Sequence, residues 1–120
     1  KTKDSLCLEG AIRTHLKLNT RVKQMRLDMI KYSDKIKWDE PIKLSNVELY
    51  EKFYNVNINV YSDLPHNYQS GNVLLHSTAN NTNTMDIVLE ENHYSLVVGK
   101  KFVLENNKHN YSKKEMIMYI

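Results

Sequence analysis

The sequence is poor in residues that cross-link a chain or bend it sharply. It contains one cysteine, three glycines and two prolines among 120 residues. A single cysteine cannot form an internal disulfide or a cysteine-rich zinc site, so we expect a cytoplasmic protein without a bound metal or other cofactor. No apolar run approaches the roughly 18 residues of a membrane helix, and no signal-peptide pattern opens the chain, so no membrane association is expected.

The composition is that of a soluble globular protein, with 41% hydrophobic and 26% charged residues. The length predicts a single domain over residues 1–120, and we expect a monomer. The net charge is +3, but the lysines are spread along the chain, whereas a nucleic-acid surface gathers its basic residues on one face. We therefore expect no nucleic-acid partner, and a basic nucleic-acid-binding domain is kept only as a distant alternative.

The first half of the chain shows helical periodicity. Apolar residues at helical spacing predict a helix over Cys7 to Lys17, capped by Asp4 or Ser5, and a second helix follows it. Ser45 and Glu48 form the pattern of a capping box, which predicts the start of a third helix. The order of helices and strands along the chain then favours an α+β domain.

The second half of the chain predicts strands. "VNINVY" alternates apolar and polar residues, as in a half-buried strand, and "NVLLHS" predicts another. "MDIVLE" and "HYSLVV" predict two adjacent strands joined by a turn at Glu91 and Asn92, and "KFVL" predicts a short last strand. The polar stretch with Pro65 and Gly71 predicts a loop, and the tail "SKKEMIMYI" is compatible with a helix or a strand.

Cys7 stands where a helix is predicted to begin. The dipole and unpaired N–H groups of a helix N-terminus favour a thiolate, and the same N–H groups can hold a developing oxyanion. The alternative is that Cys7 packs as a small buried hydrophobe, as free cysteines commonly do.

A nucleophilic cysteine needs a base, and the chain offers five histidines. His15 lies too far down the predicted helix to reach Cys7, and His76 has no distinctive neighbours. His93 opens an apolar strand directly after a turn, where an imidazole can project from a rigid scaffold. The remaining two, His66 and His109, lie in polar, loop-like segments.

Three blocks of sequence resemble the OTU (ovarian tumour) family of cysteine proteases. "DSLCLEGAI" resembles the nucleophile motif of that family, and "MDIVLEENHYSLVV" resembles its terminal histidine motif. Between them, Trp38 followed by "LSNVELYEKFYNVNINVY" is similar to the middle segment of the family. The blocks occur in the family's order and cover most of the chain. In the first block the matching residues are Asp4, Cys7, Leu8, Ala11 and Ile12.

The resemblance implies a function and a fold. Cys7 would be the nucleophile and His93 the general base, in a papain-like fold with N-terminal helices packed on a small, mainly antiparallel sheet. The implied activity is deubiquitination, through a thioester formed with the C-terminal Gly-Gly of ubiquitin or a ubiquitin-like modifier. OTU domains of this compact size are familiar from viral polyproteins. By this resemblance the protein would act in the host cytoplasm against innate immunity, and would in some cases also cleave the polyprotein.

The sequence departs from the family pattern at several positions. Ser5 replaces the usual glycine of the loop that supplies an oxyanion N–H, and Glu9 and Gly10 replace an aromatic residue and an arginine. Ser95 replaces the Asp or Asn that orients the imidazole, so Asn92 or Ser95 would take that role, or Cys7 and His93 would act as a dyad. A catalytically weak or inactive ubiquitin-binding module therefore stays an alternative.

Substrate contacts are expected around these positions. Trp38 and Tyr94 are candidate contacts, and Trp38 could equally pack in the core or the wall of a cleft. The acidic residues Asp86, Glu90 and Glu91 predict a solvated turn, and Glu90 and Glu91 are further candidate contacts, for the arginines near the C-terminus of ubiquitin.

Overall fold

The computed structural model describes residues 5–62 and 73–97, which form three α-helices and a four-stranded mixed sheet. The helices are α1 (Cys7–Leu16), α2 (Val22–Tyr32) and α3 (Val47–Tyr54), with a 3₁₀ turn at Leu44–Asn46. The strands are β1 (Asn57–Tyr61), β2 (Val73–Leu75), β3 (Thr84–Glu90) and β4 (His93–Val97). The α+β class is confirmed. The predicted loop with Pro65 and Gly71, the strand "KFVL" and the tail lie outside the described residues.

The sheet has the strand order β2-β1-β3-β4. Its central pair, β1 and β3, is parallel, while β2 on β1 and β4 on β3 are antiparallel. Parallel neighbours must be joined by a crossover, so β2 pairs on one side of β1 before the chain returns as β3 on the other. "Mainly antiparallel" therefore describes two of the three pairings, and the central pairing is the exception.

Two helices end in the same way. Lys17 after α1 and Asn55 after α3 have left-handed backbone angles, with φ of 58° and 56°. The N–H groups of Leu18 and Val56 then donate to carbonyls five residues earlier, at 3.0 and 3.2 Å. This Schellman geometry satisfies helix carbonyls that would otherwise lack partners. Asparagine tolerates the left-handed region, so the turn at Asn55 delivers the chain directly into β1.

The predicted helix starts are wrong in detail. The N-cap of α1 is Leu6, with no side-chain cap, so Ser5 is not the N-cap, and Asp4, the other predicted cap, lies outside the described residues. The predicted capping box is replaced by the 3₁₀ turn, in which the Asn46 N–H donates to the Lys43 carbonyl at 2.8 Å. α3 begins only at Val47, because Ser45 is already part of this turn.

The core lies between the helices and one face of the sheet. Because strand side chains alternate, Ile58, Met85, Ile87 and Leu96 all point to this face, where the buried residues of the three helices cover them. On the other face Tyr61, Val88 and Val97 form a second buried cluster. β1 is therefore buried on both faces rather than half-buried as predicted, as expected for a central strand of a parallel pair.

The helices are short, and packing stabilises them. α1 has 10 residues, below the roughly 12–15 at which an isolated helix becomes stable in water. Its buried face carries Leu8, Ala11 and Ile12 against the sheet. Among residues 5–62 and 73–97, no helix has the length and apolar character needed to cross a membrane.

Candidate active site

Cys7 is the first residue of α1, and its sulfur lies against the start of β4. The backbone N–H of Tyr94 donates to Cys7 Sγ at 3.1 Å, and Sγ approaches the carbonyl oxygen of Asn92 at 3.8 Å. The thiol is partly buried and forms no disulfide. The structure thus brings together the predicted nucleophile and the backbone on both sides of His93.

A tight turn fixes the position of His93. Glu91 and Asn92 are the two residues between β3 and β4, and their φ angles are 50° and 70°. Two successive positive φ angles define a type I′ turn, whose twist matches that of the strands it joins. The turn pairs Glu90 with His93, so the predicted turn and both flanking strands are confirmed.

The side chains of β4 alternate between the two faces of the sheet. Tyr94 and Leu96 point into the core below the helices, so His93 and Ser95 lie on the opposite face. Ser95, which pairs with Val88, therefore shares the face of the imidazole. His93 is exposed, and its side chain makes no hydrogen bond or ion pair within the described part of the chain. Asn92 contacts the site through its carbonyl group, and its predicted orienting role stays a prediction.

The surroundings of the Cys7 thiol have opposing effects on its pKa. Burial raises the pKa of the Cys7 thiol, and the negative charge of Glu9 raises it further. The N–H group of Tyr94, helped by those of Cys7 and Leu8, acts in the opposite direction because it favours the thiolate. The balance leaves the pKa above its ordinary value, so the thiol carries its proton at neutral pH. Nucleophilic chemistry at Cys7 therefore requires a base.

A buried ion pair lies directly behind this site. Arg26 Nε donates to Glu9 Oε2 at 2.6 Å and Nη2 donates to Oε1 at 3.1 Å, and neither side chain has any exposed surface. The hydroxyl of Tyr50 also donates to Glu9, and Nη2 donates to the carbonyl of Ser5. Nη1 donates to three carbonyls, those of Lys37 at 2.8 Å, Trp38 at 3.0 Å and Glu40 at 2.9 Å.

The hydrogen bonds keep the Arg26 guanidinium charged. Burial acts to lower the pKa of Arg26, but the hydrogen bond and charge of Glu9 outweigh it and raise that pKa. Burial raises the pKa of Tyr50 well above its ordinary range, so Tyr50 is a neutral donor. Sequence reasoning missed this cluster. The available signal was a charged residue of opposite sign on the apolar face of each helix, since Arg26 is four residues after Val22 and three before Met29.

The predicted substrate contacts lie in different environments. Trp38 is 43% exposed and lines a recess of about 120 Å³ beside Ser5 and Leu6, so it is not a core residue. Glu90 and Glu91 are exposed at the hairpin tip. Tyr94 is 1% exposed, and its hydroxyl donates to the Ile42 carbonyl at 2.7 Å, so its ring packs in the core and does not fit the predicted substrate contact.

Asp86 also departs from the prediction. It was expected in a solvated acidic turn, but it lies in the central strand β3 with 3% exposure. Its carboxylate accepts hydrogen bonds from Asn59 Nδ2 at 3.0 Å and from the Tyr61 hydroxyl at 3.4 Å. The acidic turn therefore consists of Glu90 and Glu91 alone. Within residues 5–62 and 73–97, no three His, Cys, Asp or Glu side chains are arranged to hold a metal ion.

Fold and site together define a small α+β domain in which a cysteine at a helix start contacts the hairpin that carries an exposed histidine. No protein-family model matches the chain, and comparisons with curated proteins and with solved structures find no match either.

Proposed function

We propose that this protein is an OTU-like cysteine protease that removes ubiquitin or a ubiquitin-like modifier from its conjugates. The observation that carries the proposal is the hydrogen bond from the Tyr94 N–H to Cys7 Sγ, 3.1 Å long. The sulfur of a cysteine at the start of a helix meets there the backbone on both sides of a histidine at the start of a strand, from distant parts of the sequence. This juxtaposition fits a nucleophile and its general base.

In the proposed reaction His93 takes the proton of the Cys7 thiol as the sulfur attacks the carbonyl carbon of the modifier's last glycine. Backbone N–H groups at the start of α1 donate hydrogen bonds to the oxyanion that forms. The C–N bond then breaks, His93 returns the proton to the leaving amine, and a thioester remains on Cys7. Water activated by His93 hydrolyses the thioester and releases the modifier with a free carboxylate.

The proposed chemistry depends on a general base, because the raised pKa keeps the thiol of Cys7 protonated at neutral pH. The imidazole of His93 is solvent-exposed, and no hydrogen bond to a described residue holds it. Because strand alternation directs it to the face opposite the helices, the proposed reaction requires it to turn around the start of β4 towards the sulfur. Glu90 and Glu91 place two negative charges beside the site, which suits a modifier with a basic C-terminal segment.

The test is covalent capture by a ubiquitin probe that carries an electrophile in place of its C-terminal carboxylate. We expect wild type to form one adduct at Cys7, located by mass spectrometry, and Cys7→Ala to form none. His93→Gln should label at least tenfold more slowly. His76→Gln is the matched control, because His76 is also exposed and its ring bonds only to the neighbouring Ser77 carbonyl. Folded wild type that is never labelled would contradict the proposal.

The second candidate is a ubiquitin-binding module without turnover. It is favoured by the raised thiol pKa and by the absence of a hydrogen bond between His93 and any described residue. If this candidate is correct, Cys7→Ala and wild type bind ubiquitin with equal affinity and neither reacts with the probe. Binding measured by calorimetry on both proteins separates the two candidates.

A further inference from the structure

One buried guanidinium holds the chain on both sides of Cys7. Arg26 donates to the carbonyl of Ser5, two residues before the cysteine, and to the carboxylate of Glu9, two residues after it. It therefore fixes the segment that leads into α1 relative to the first turn of the helix.

Because the peptide bond is rigid, holding the Ser5 carbonyl also fixes the direction of the Leu6 N–H group. The peptide between Ser5 and Leu6 is planar and trans, so its N–H points opposite to its carbonyl. Because Arg26 holds the Ser5 carbonyl, the Leu6 N–H is directed away from the guanidinium. Leu6 is the N-cap of α1, and the N–H groups at a helix start have no partner within the helix. The next carbonyl, that of Leu6, is fixed by the N–H of Gly10 at 3.0 Å.

The same side chain also contacts the loop that forms another part of the recess lined by Ser5 and Leu6. Its Nη1 binds three carbonyls of the loop 37–40, including that of Trp38. The recess of about 120 Å³ lies between Ser5 and Leu6 on one side and Trp38 on the other. Arg26 therefore donates hydrogen bonds to the backbone on both sides of this recess.

We propose that Arg26 is a positioning residue for the reaction at Cys7. It orients the Ser5–Leu6 peptide, which presents an N–H to the oxyanion, and it sets the distance between this peptide and Trp38. The catalytic part of the inference rests on the proposed protease function. Lysine cannot replace Arg26, because an ammonium group lacks the planar fork that reaches the carboxylate and the carbonyls on both sides at once.

The test compares Arg26→Lys with Arg13→Lys. Arg13 is the matched control, because it is exposed and its Nε donates to a single loop carbonyl, that of Thr20, at 2.8 Å. With a fluorogenic ubiquitin C-terminal substrate, at a temperature where both variants are folded, we expect Arg26→Lys to lower kcat about tenfold or more. KM should stay within about twofold, since binding of the modifier's body is unchanged. Arg13→Lys should match wild type, and an Arg26→Lys variant with wild-type kcat would overturn the inference.

A second measurement does not depend on the substrate. Cys7 is the only cysteine, so the rate of alkylation by iodoacetamide against pH reports on this thiol alone. We expect Arg26→Lys to raise the midpoint pH of this alkylation profile, because the N–H groups at the start of α1 lose their alignment on the sulfur. If the midpoint pH is unchanged, or falls to that of the unfolded chain, Arg26 has a structural role only.

The kinetic and alkylation measurements test the protease function and the role of Arg26 separately. If wild type does not turn over ubiquitin substrates, the protease function fails, and the alkylation profile alone decides whether Arg26 positions the thiol. If Arg26→Lys does not fold, Tyr50→Phe takes its place, because it removes only the hydroxyl that holds Glu9. We expect that variant to lower kcat about threefold, the effect of one lost hydrogen bond, and an unchanged kcat would refute the inference.

Discussion

The turn that carries His93 contains a residue in an unfavourable conformation, and relieving it should stabilise the protein. Glu91 has a φ of 50°, in the left-handed region, where residues other than Gly, Asn or Asp are disfavoured by about 1–2 kcal/mol. Asn92 occupies the same region, with a φ of 70°, but asparagine tolerates it. We therefore predict that Glu91→Asn increases the free energy of unfolding by about 1 kcal/mol.

The assay is urea denaturation followed by circular dichroism. With a slope of about 2 kcal/mol per molar urea, a gain of 1 kcal/mol raises the midpoint by about 0.5 M, and the slope itself should not change. For a chain of 120 residues, the melting temperature should rise by roughly 3–6 °C.

The matched control is Glu91→Gln, which removes the same charge but leaves an unfavourable side chain at the same φ. Its stability should stay within about 0.5 kcal/mol of wild type, as for most surface substitutions. The reasoning is refuted if Glu91→Asn and Glu91→Gln have the same stability. Both variants should raise KM for ubiquitin substrates to the same degree if the Glu91 carboxylate contacts the modifier, so activity and stability report on separate properties of one residue.

Three further predictions concern the site and the network behind it. Burial raises the pKa of the Cys7 thiol in the folded state, so the neutral thiol contributes stability that is fully present below about pH 8.5. This contribution is lost as the pH rises through the folded-state pKa. In thermal melts, Cys7→Ala should abolish this part of the alkaline loss of stability. Ser95→Asp should raise kcat, since Ser95 shares a sheet face with His93; an unchanged or lower kcat in a folded variant would mean that the imidazole is oriented from elsewhere. Glu9→Gln and Arg26→Met should each cost about 3–5 kcal/mol, and the double variant should cost less than their sum, because it leaves no buried charge unpaired; additive values in urea titrations would contradict this.

The hairpin and the first helix show what a sequence predicts well. Short apolar runs in "MDIVLE" and "HYSLVV", separated by two turn-forming residues, predicted β3, β4 and the turn at Glu91 and Asn92, and all three are confirmed. The helix predicted over Cys7 to Lys17 is found at Cys7–Leu16. Such elements depend on the periodicity and backbone preferences of neighbouring residues, which are visible in a short window of sequence.

The predicted helix caps failed for a related reason. Ser45 and Glu48 have the right spacing for a capping box, but the same residues are compatible with a 3₁₀ turn followed by a later helix start. Local preferences of about 1 kcal/mol separate these possibilities, and packing against the core readily outweighs them.

The sequence by itself determined the α+β class, the helix of Cys7 and the hairpin of His93, because these follow from local patterns. Only the tertiary structure decided that the Tyr94 N–H contacts the Cys7 sulfur and that Tyr94 itself is buried. It also decided that Glu9 and Arg26 form a fully buried ion pair. A charged residue on an apolar helix face is costly unless a partner of opposite charge faces it, and which faces meet is set by the packing of helices that are distant in the sequence.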